Sequence, residues 1–232
     1  MQRRINCVSF VRFCSVKNFR TWQTSSVSEK SESVDTELTS TQRILERAIC
    51  VIEESGEVAI RTNQIAFECG VTPPILYRAY GSREGLIIAA QAERYRRSTA
   101  EAVQFLKRYI DEATSRESLY ENISNTLDYI FSDSRASNRR LRAEVIGSSV
   151  SRPALREELL RIDWEYATLI ADAYAKALQN GWISSQKNYE VIALWVQGLV
   201  NARYLFDENP DPQHGRAWND LTRRAILEAI FD

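Results

Sequence analysis

From Thr39 onward, apolar residues recur at three- and four-residue intervals, the repeat that gathers them on one face of an α-helix. Ile44, Leu45, Ala48, Ile49, Val51 and Ile52 form the first such face, and Gly56 ends it. A second, shorter helix carries Ile65, Ala66 and Phe67, with Thr62 placed to cap its start and Gly70 to stop it. Thr72 is placed to cap a third, with Pro73 at the first helical position, where the missing N–H costs nothing. Gly81 lies beyond its end, and Ser82 with Arg83, Glu84 and Gly85 opens a fourth helix that continues past Tyr95. Further amphipathic segments follow at about 115–132, 138–147, 153–180, 186–206 and 216–231. Pro153 opens one of these, Gly181 closes it, and Ser184 or Ser185 is positioned to cap the next. Asp207 to Gly215, with two prolines, reads as a turn-rich connector. No alternating pattern of useful length suggests a strand, so the predicted fold class is all-α.

The two short helices joined at Gly70 have the spacing of a helix-turn-helix, spanning roughly 61–80. Ile65 and Ala66 point inward, and Val71, Leu76 and Tyr80 return to the same core. That core would fix the angle at which the third helix enters a major groove about 12 Å wide. Three stretches in order carry a resemblance: Thr41-Gln-Arg-Ile-Leu-Glu-Arg-Ala, then Arg61-Thr-Asn-Gln-Ile-Ala, then Cys69-Gly-Val-Thr-Pro-Pro-Ile-Leu-Tyr-Arg-Ala-Tyr-Gly-Ser-Arg-Glu-Gly-Leu. Over about 50 residues the chain resembles the TetR family of bacterial transcription regulators. The resemblance implies a three-helix DNA-binding domain at 39–97 and a helical-bundle ligand-binding and dimerisation domain at 98–232. It also implies a cytoplasmic homodimer, usually a repressor, released from a palindromic operator in double-stranded DNA by a small-molecule effector.

Carried over by position, Thr62 and Asn63 begin the helix that touches the DNA backbone and a base, with Arg61 a further candidate just before it, and Thr72, Pro73, Pro74, Ile75, Tyr77 and Arg78 face the DNA. Arg83 stands where the family usually places a phosphate-binding lysine. Ala79 departs from the pattern, since a histidine that contacts phosphate commonly stands there. The prolines and Ile75 cannot hydrogen-bond a base edge, so apolar contact with thymine methyl groups is the readout they offer. Further along, Val191, Leu194, Trp195, Gly198, Leu199 and Ala202 share a helix face, as do Trp218, Leu221 and Ala225. Small residues beside large ones suit close helix packing, and the resemblance makes these two faces the dimer interface. Packing within one subunit is the alternative. Phe105, Tyr109, Tyr129, Phe131, Trp164 and Tyr166 are candidate lining residues for an effector pocket.

Composition narrows the function classes. Apolar residues make up 44 % of the 232-residue chain, enough for a real core, and no apolar run approaches the length of a membrane span of about 18 residues. The net charge of −1 conceals a gradient: residues 1–38 carry six basic against four acidic residues, 39–97 eight against seven, and 98–232 sixteen against twenty. This mild basicity at one end is compatible with DNA contact. Residues 1–38 form a basic, Ser-rich segment expected to be a disordered arm, although an arginine- and serine-rich, acid-poor start also resembles a transit peptide.

Cysteines at 7, 14, 50 and 69 and a single histidine, His214, cannot supply a zinc site, so no metal and no cofactor is expected. The thiols read as buried or incidental in a reducing compartment. No nucleophile elbow, Gly-rich phosphate loop or paired Ser/Cys–His constellation accompanies them, which argues against an enzyme. The rival reading is a helical protein-interaction adaptor that has lost operator binding, favoured by Ala79 and the weak basic excess.

Overall fold

The computed structural model describes residues 38–208 and 211–232, and these contain helices and turns with no strand. The arm predicted at 1–38, with Cys7 and Cys14, therefore lies outside the described residues except for Leu38. The chain divides into two compact units, one ending at Ala90 and the other beginning at Gln91, within one helix rather than at the expected boundary of 97/98.

The first unit contains α1 (Ser40–Ser55), α2 (Thr62–Glu68), α3 (Pro73–Tyr80) and the opening turns of α4 (Arg83–Glu112). Thr39 starts α1 through a capping box, its side chain accepting from the Gln42 amide while the Gln42 side chain accepts from the Thr39 amide. A 3-10 turn at Glu57–Ala59, absent from the sequence-based reading, leads into α2. Arg61 rather than Thr62 occupies the cap position of α2, and Thr62 is its first helical residue. Ile44, Ala48, Ile49 and Ile52 pack with Ile60, Ile65, Ala66, Leu76, Leu86 and Ile87 in one core. Cys69 is buried at its edge, its thiol bonded to the Arg43 carbonyl at 3.5 Å.

The second unit holds the remainder of α4 with α5 (Arg116–Phe131), α6 (Ala136–Ser149), α7 (Pro153–Ala173), α8 (Ala175–Gln179), α9 (Tyr189–Asp207) and α10 (Pro212–Phe231). Its core gathers Ile110, Leu119, Ile123, Leu127, Phe131, Tyr174, Tyr189, Ile226 and Ile230. Two boundaries differ from expectation. Asn188, whose side chain accepts from the Val191 amide, caps α9 in place of Ser184 or Ser185. The connector after Asp207 is shorter than predicted, because Asp211 caps a helix that begins with Pro212, so His214 lies in the first turn of α10.

The inward face of α6 is polar. Arg139 and Arg142, 1 % and 3 % exposed, lie on it beside Val145 and Ser149. Buried guanidiniums need partners, and each finds several. Arg139 donates to both oxygens of Asp207, at 2.7 and 2.6 Å, and to the Ile130 and Ser132 carbonyls. Arg203 shares the same carboxylate at 2.8 Å. Arg142 donates to Asn201, Thr99 and Tyr95 and lies over the Tyr95 ring. The Tyr95 hydroxyl in turn donates to Asp163 at 3.0 Å.

Candidate functional site

The turn between α2 and α3 follows from Gly70. Its φ of 66° is left-handed, where a side chain is strained. The Gly70 amide bonds the Phe67 carbonyl and the Val71 amide bonds the Ala66 carbonyl, the paired bonds of a Schellman ending. Beyond it Pro73 begins α3, which presents Leu76 to the core with no exposed surface. Tyr80 is half-buried and donates to the Thr41 carbonyl of α1 at 2.8 Å; burial pushes its ionisation up to about 12, so it stays neutral. Arg47 of α1 and Glu68 of α2 pair at 2.5 Å. These contacts hold α1, α2 and α3 as one piece.

The opposite face of α3 is open. Pro74, Ile75, Tyr77 and Arg78 are exposed, together with Thr72 just before the helix, while Pro73 is half-buried. The Tyr77 hydroxyl lies 3.0 Å from the Thr62 hydroxyl, so the start of α2 and the middle of α3 meet on one surface. Asn63 is exposed beside them. Thr72 is exposed and makes no side-chain capping bond.

Two arginines expected at DNA are exposed and also hydrogen-bond within the protein. Arg83 donates to the Ile60 carbonyl at 2.9 Å and the Glu57 carbonyl at 2.7 Å. Arg61 donates to the Val58 and Ile60 carbonyls at 2.6 and 3.1 Å. Both guanidiniums thus brace the turn that leads into α2. Arg78 is the exposed cation of α3 with no side-chain bond of this kind among the described residues. Gly85 completes the unit. A Cβ there would overlap the Tyr80 carbonyl oxygen, so α4 can start this close to the end of α3 because position 85 has no side chain.

The second unit contains a cavity of about 100 Å³. Aliphatic residues such as Leu106, Ile130, Ile170 and Val196 line most of it, with Arg139, Arg142, Tyr174 and Gln197 among the polar residues of its wall. None of the six aromatic residues expected at a pocket lines it. Phe105, Tyr109 and Tyr129 cluster with one another, at centroid distances of 4.4 and 5.1 Å from Phe105. Phe131 belongs to the core, Trp164 is half exposed, and Tyr166 donates to the Arg96 carbonyl.

On the predicted dimer faces, Val191, Trp195, Gly198 and Leu221 are exposed, and Leu194, Leu199, Ala202 and Ala225 are half-buried. Trp218 departs from them, since its ring stacks on Phe206 at 4.9 Å within the chain. No described helix is long and apolar enough to cross a membrane, and no group of three potential metal ligands occurs among the described residues.

No protein-family model matches the sequence, and no curated protein matches it. Solved structures do. A protein of Rhodococcus sp. assigned to the TetR family of transcriptional regulators is 23 % identical with a TM-score of 0.54, covering 81 % of this chain and 98 % of its own. Salmonella enterica GusR is 17 % identical with a TM-score of 0.59, covering 86 % and 99 %. Thermus thermophilus FadR, a TetR-family transcriptional repressor in complex with lauroyl-CoA, is 12 % identical with a TM-score of 0.59, covering 82 % and 94 %. The chain has the fold of these regulators: a helix-turn-helix unit followed by a helical domain.

Proposed function

We propose that the protein is a sequence-specific DNA-binding transcription regulator that works as a homodimer on a palindromic operator. The observation that carries this is the exposed face of α3. Pro74, Ile75, Tyr77 and Arg78 project from a helix whose other side is anchored by Leu76 and Tyr80. A rigid helix with one free face is what major-groove reading requires. In this reading Arg78 supplies the polar discrimination and Pro74 and Ile75 meet thymine methyl groups. Tyr77 and Thr62 serve as hydroxyl contacts to phosphate. The exposed Val191, Trp195 and Leu221 form the contact between two copies, and a small molecule in the second unit controls operator affinity, most simply by releasing a repressor. The fold shared with regulators rather than enzymes supports the same reading.

Selection of bound sequences from random duplex DNA tests it. The expected product is an inverted repeat with half-sites about one helical turn apart, thymine-rich beneath the start of α3. Replacing those thymines with uracil should weaken binding. Sedimentation should give a dimer at micromolar concentration without DNA. Recovery of no preferred sequence would refute the regulator and leave a helical adaptor, and equal affinity for the uracil operator would refute the methyl contact.

A further inference from the structure

Taking the second unit as the effector domain, we propose that its cavity receives an uncharged, mainly apolar molecule carrying one hydroxyl or amide N–H, which it donates to the Gln197 side-chain oxygen. Gln197 lies in the cavity wall and is 9 % exposed. Its amide nitrogen donates to the Asp163 carbonyl at 3.3 Å, while its oxygen has no partner among the described residues. A buried acceptor left unpaired is costly, and because Gln197 lines the cavity, a turn of its amide that gives up the 3.3 Å bond to Asp163 would bring the oxygen to a donor carried by an occupant.

The charges around the cavity argue for an uncharged occupant. Three arginines lie in its wall, which at first suggests an anion. Each is already hydrogen-bonded within the protein. Arg139 is held by Asp207 and two carbonyls, Arg142 by Asn201, Thr99 and Tyr95, and Arg135 by Glu101, Tyr129 and the Ser98 carbonyl. Arg139 and Arg135 each face a carboxylate, and Arg142, whose own partners are neutral, lies across the Tyr95 hydroxyl from Asp163, so an anionic group would have to compete with Asp207, Glu101 and Asp163 for these cations. The hydroxyls of Ser98 and Thr126 donate to backbone carbonyls of their own helices. Burial holds the Tyr174 phenol neutral. The remaining wall is aliphatic. A cavity of about 100 Å³ is somewhat smaller than the engineered cavity of about 150 Å³ that binds benzene, so a fragment of five or six heavy atoms is the appropriate probe.

Two isomers with the same formula separate donor from shape: 1-pentanol, which has a hydroxyl hydrogen, and 1-methoxybutane, which has none. Sodium pentanoate adds the charge. Dissociation constants are obtained for the full-length protein from the dependence of its melting midpoint on probe concentration. Pentanol is expected to bind about tenfold more tightly than either of the others, the factor that corresponds to about 1.4 kcal/mol. Gln197→Leu should bring the two isomers to within about threefold of each other while methoxybutane still binds. Equal affinity of the isomers for the unaltered protein, tightest binding of pentanoate, or no binding of any probe would each overturn the proposal. Because the isomer comparison uses the unaltered chain, it does not depend on how the variant folds. Operator binding is not part of the readout, so failure of the regulator reading would appear separately.

Discussion

Replacing Asp207 by Asn should be among the most damaging single changes in the second unit. The Asp207 side chain is 5 % exposed and lies between Arg139 and Arg203, whose side chains are 1 % and 4 % exposed. Its two oxygens take three guanidinium hydrogen bonds of 2.6–2.8 Å. Among the described residues the other carboxylate paired with them is Asp133, 3.6 Å from Arg203 and itself fully exposed, so solvent screens most of its effect. One carboxylate thus compensates two buried cations. Its loss leaves both uncompensated and turns an amide donor toward guanidinium donors, for which about 3–5 kcal/mol is the expected cost. For a chain of this length that lowers the melting midpoint by roughly 10 °C. Arg203→Met removes one cation and leaves a balanced pair, and should cost less than half as much. In the double variant a single cation is stranded instead of two, so the two effects should fall short of additivity by at least about 1 kcal/mol. Urea unfolding at fixed protein concentration measures all three. Additivity within about 0.5 kcal/mol, or an Arg203→Met cost equal to that of Asp207→Asn, would refute the charge count.

Gly85→Ala forces a methyl group against the Tyr80 carbonyl, so it should destabilise the first unit by about 1–3 kcal/mol and abolish operator binding in gel shifts, whereas Gly147→Ala, which meets nothing within 4 Å, should leave both unchanged. Arg83→Ala removes two hydrogen bonds from the 57–60 turn and should lower the melting midpoint without DNA; the side chain is exposed and keeps its charge, so a contact with phosphate would also show as a fall of about one unit in the salt dependence of operator affinity. Glu101 is held below its ordinary value of 4.5 by the hydrogen bond from Arg135 and then by that from Tyr129. Its contribution is therefore present above that value and lost as pH falls, and Glu101→Gln should flatten the decline in melting midpoint between about pH 5 and 3.

Helix order and the helix-turn-helix were legible because they rest on local signals: apolar spacing, a proline after Thr72 and a glycine after Cys69. The sequence is least legible where a distant partner decides. Arg61 and Arg83 are surface cations, as the sequence suggests, but only the fold brings the Glu57, Val58 and Ile60 carbonyls to them. Arg139 and Arg142 look exposed too and are not, although their spacing on the face that carries Val145 was a signal that α6 turns charge inward. Aromatic residues mark no pocket here, because periodicity tells which face is apolar and not where packing is incomplete; the gap lies among aliphatic chains and Gln197. Capping residues compete locally as well, and Asp211 before Pro212 was a readable start for α10 that the turn-rich composition around it concealed.

The separate cores of the two units have a genetic consequence. A chain altered at Gly85 loses the geometry of its first unit, while the residues that would pair it with a second copy, in the other unit, are untouched. In a cell carrying both forms, altered subunits would still enter dimers, and each mixed dimer would hold an operator with one half-site unread. Such alleles should be dominant. A chain altered at Asp207 would fail in the unit proposed to do the pairing and leave its wild-type neighbour to assemble alone, so those alleles should be recessive. Inheritance pattern alone would then assign a loss-of-function allele to one core or the other.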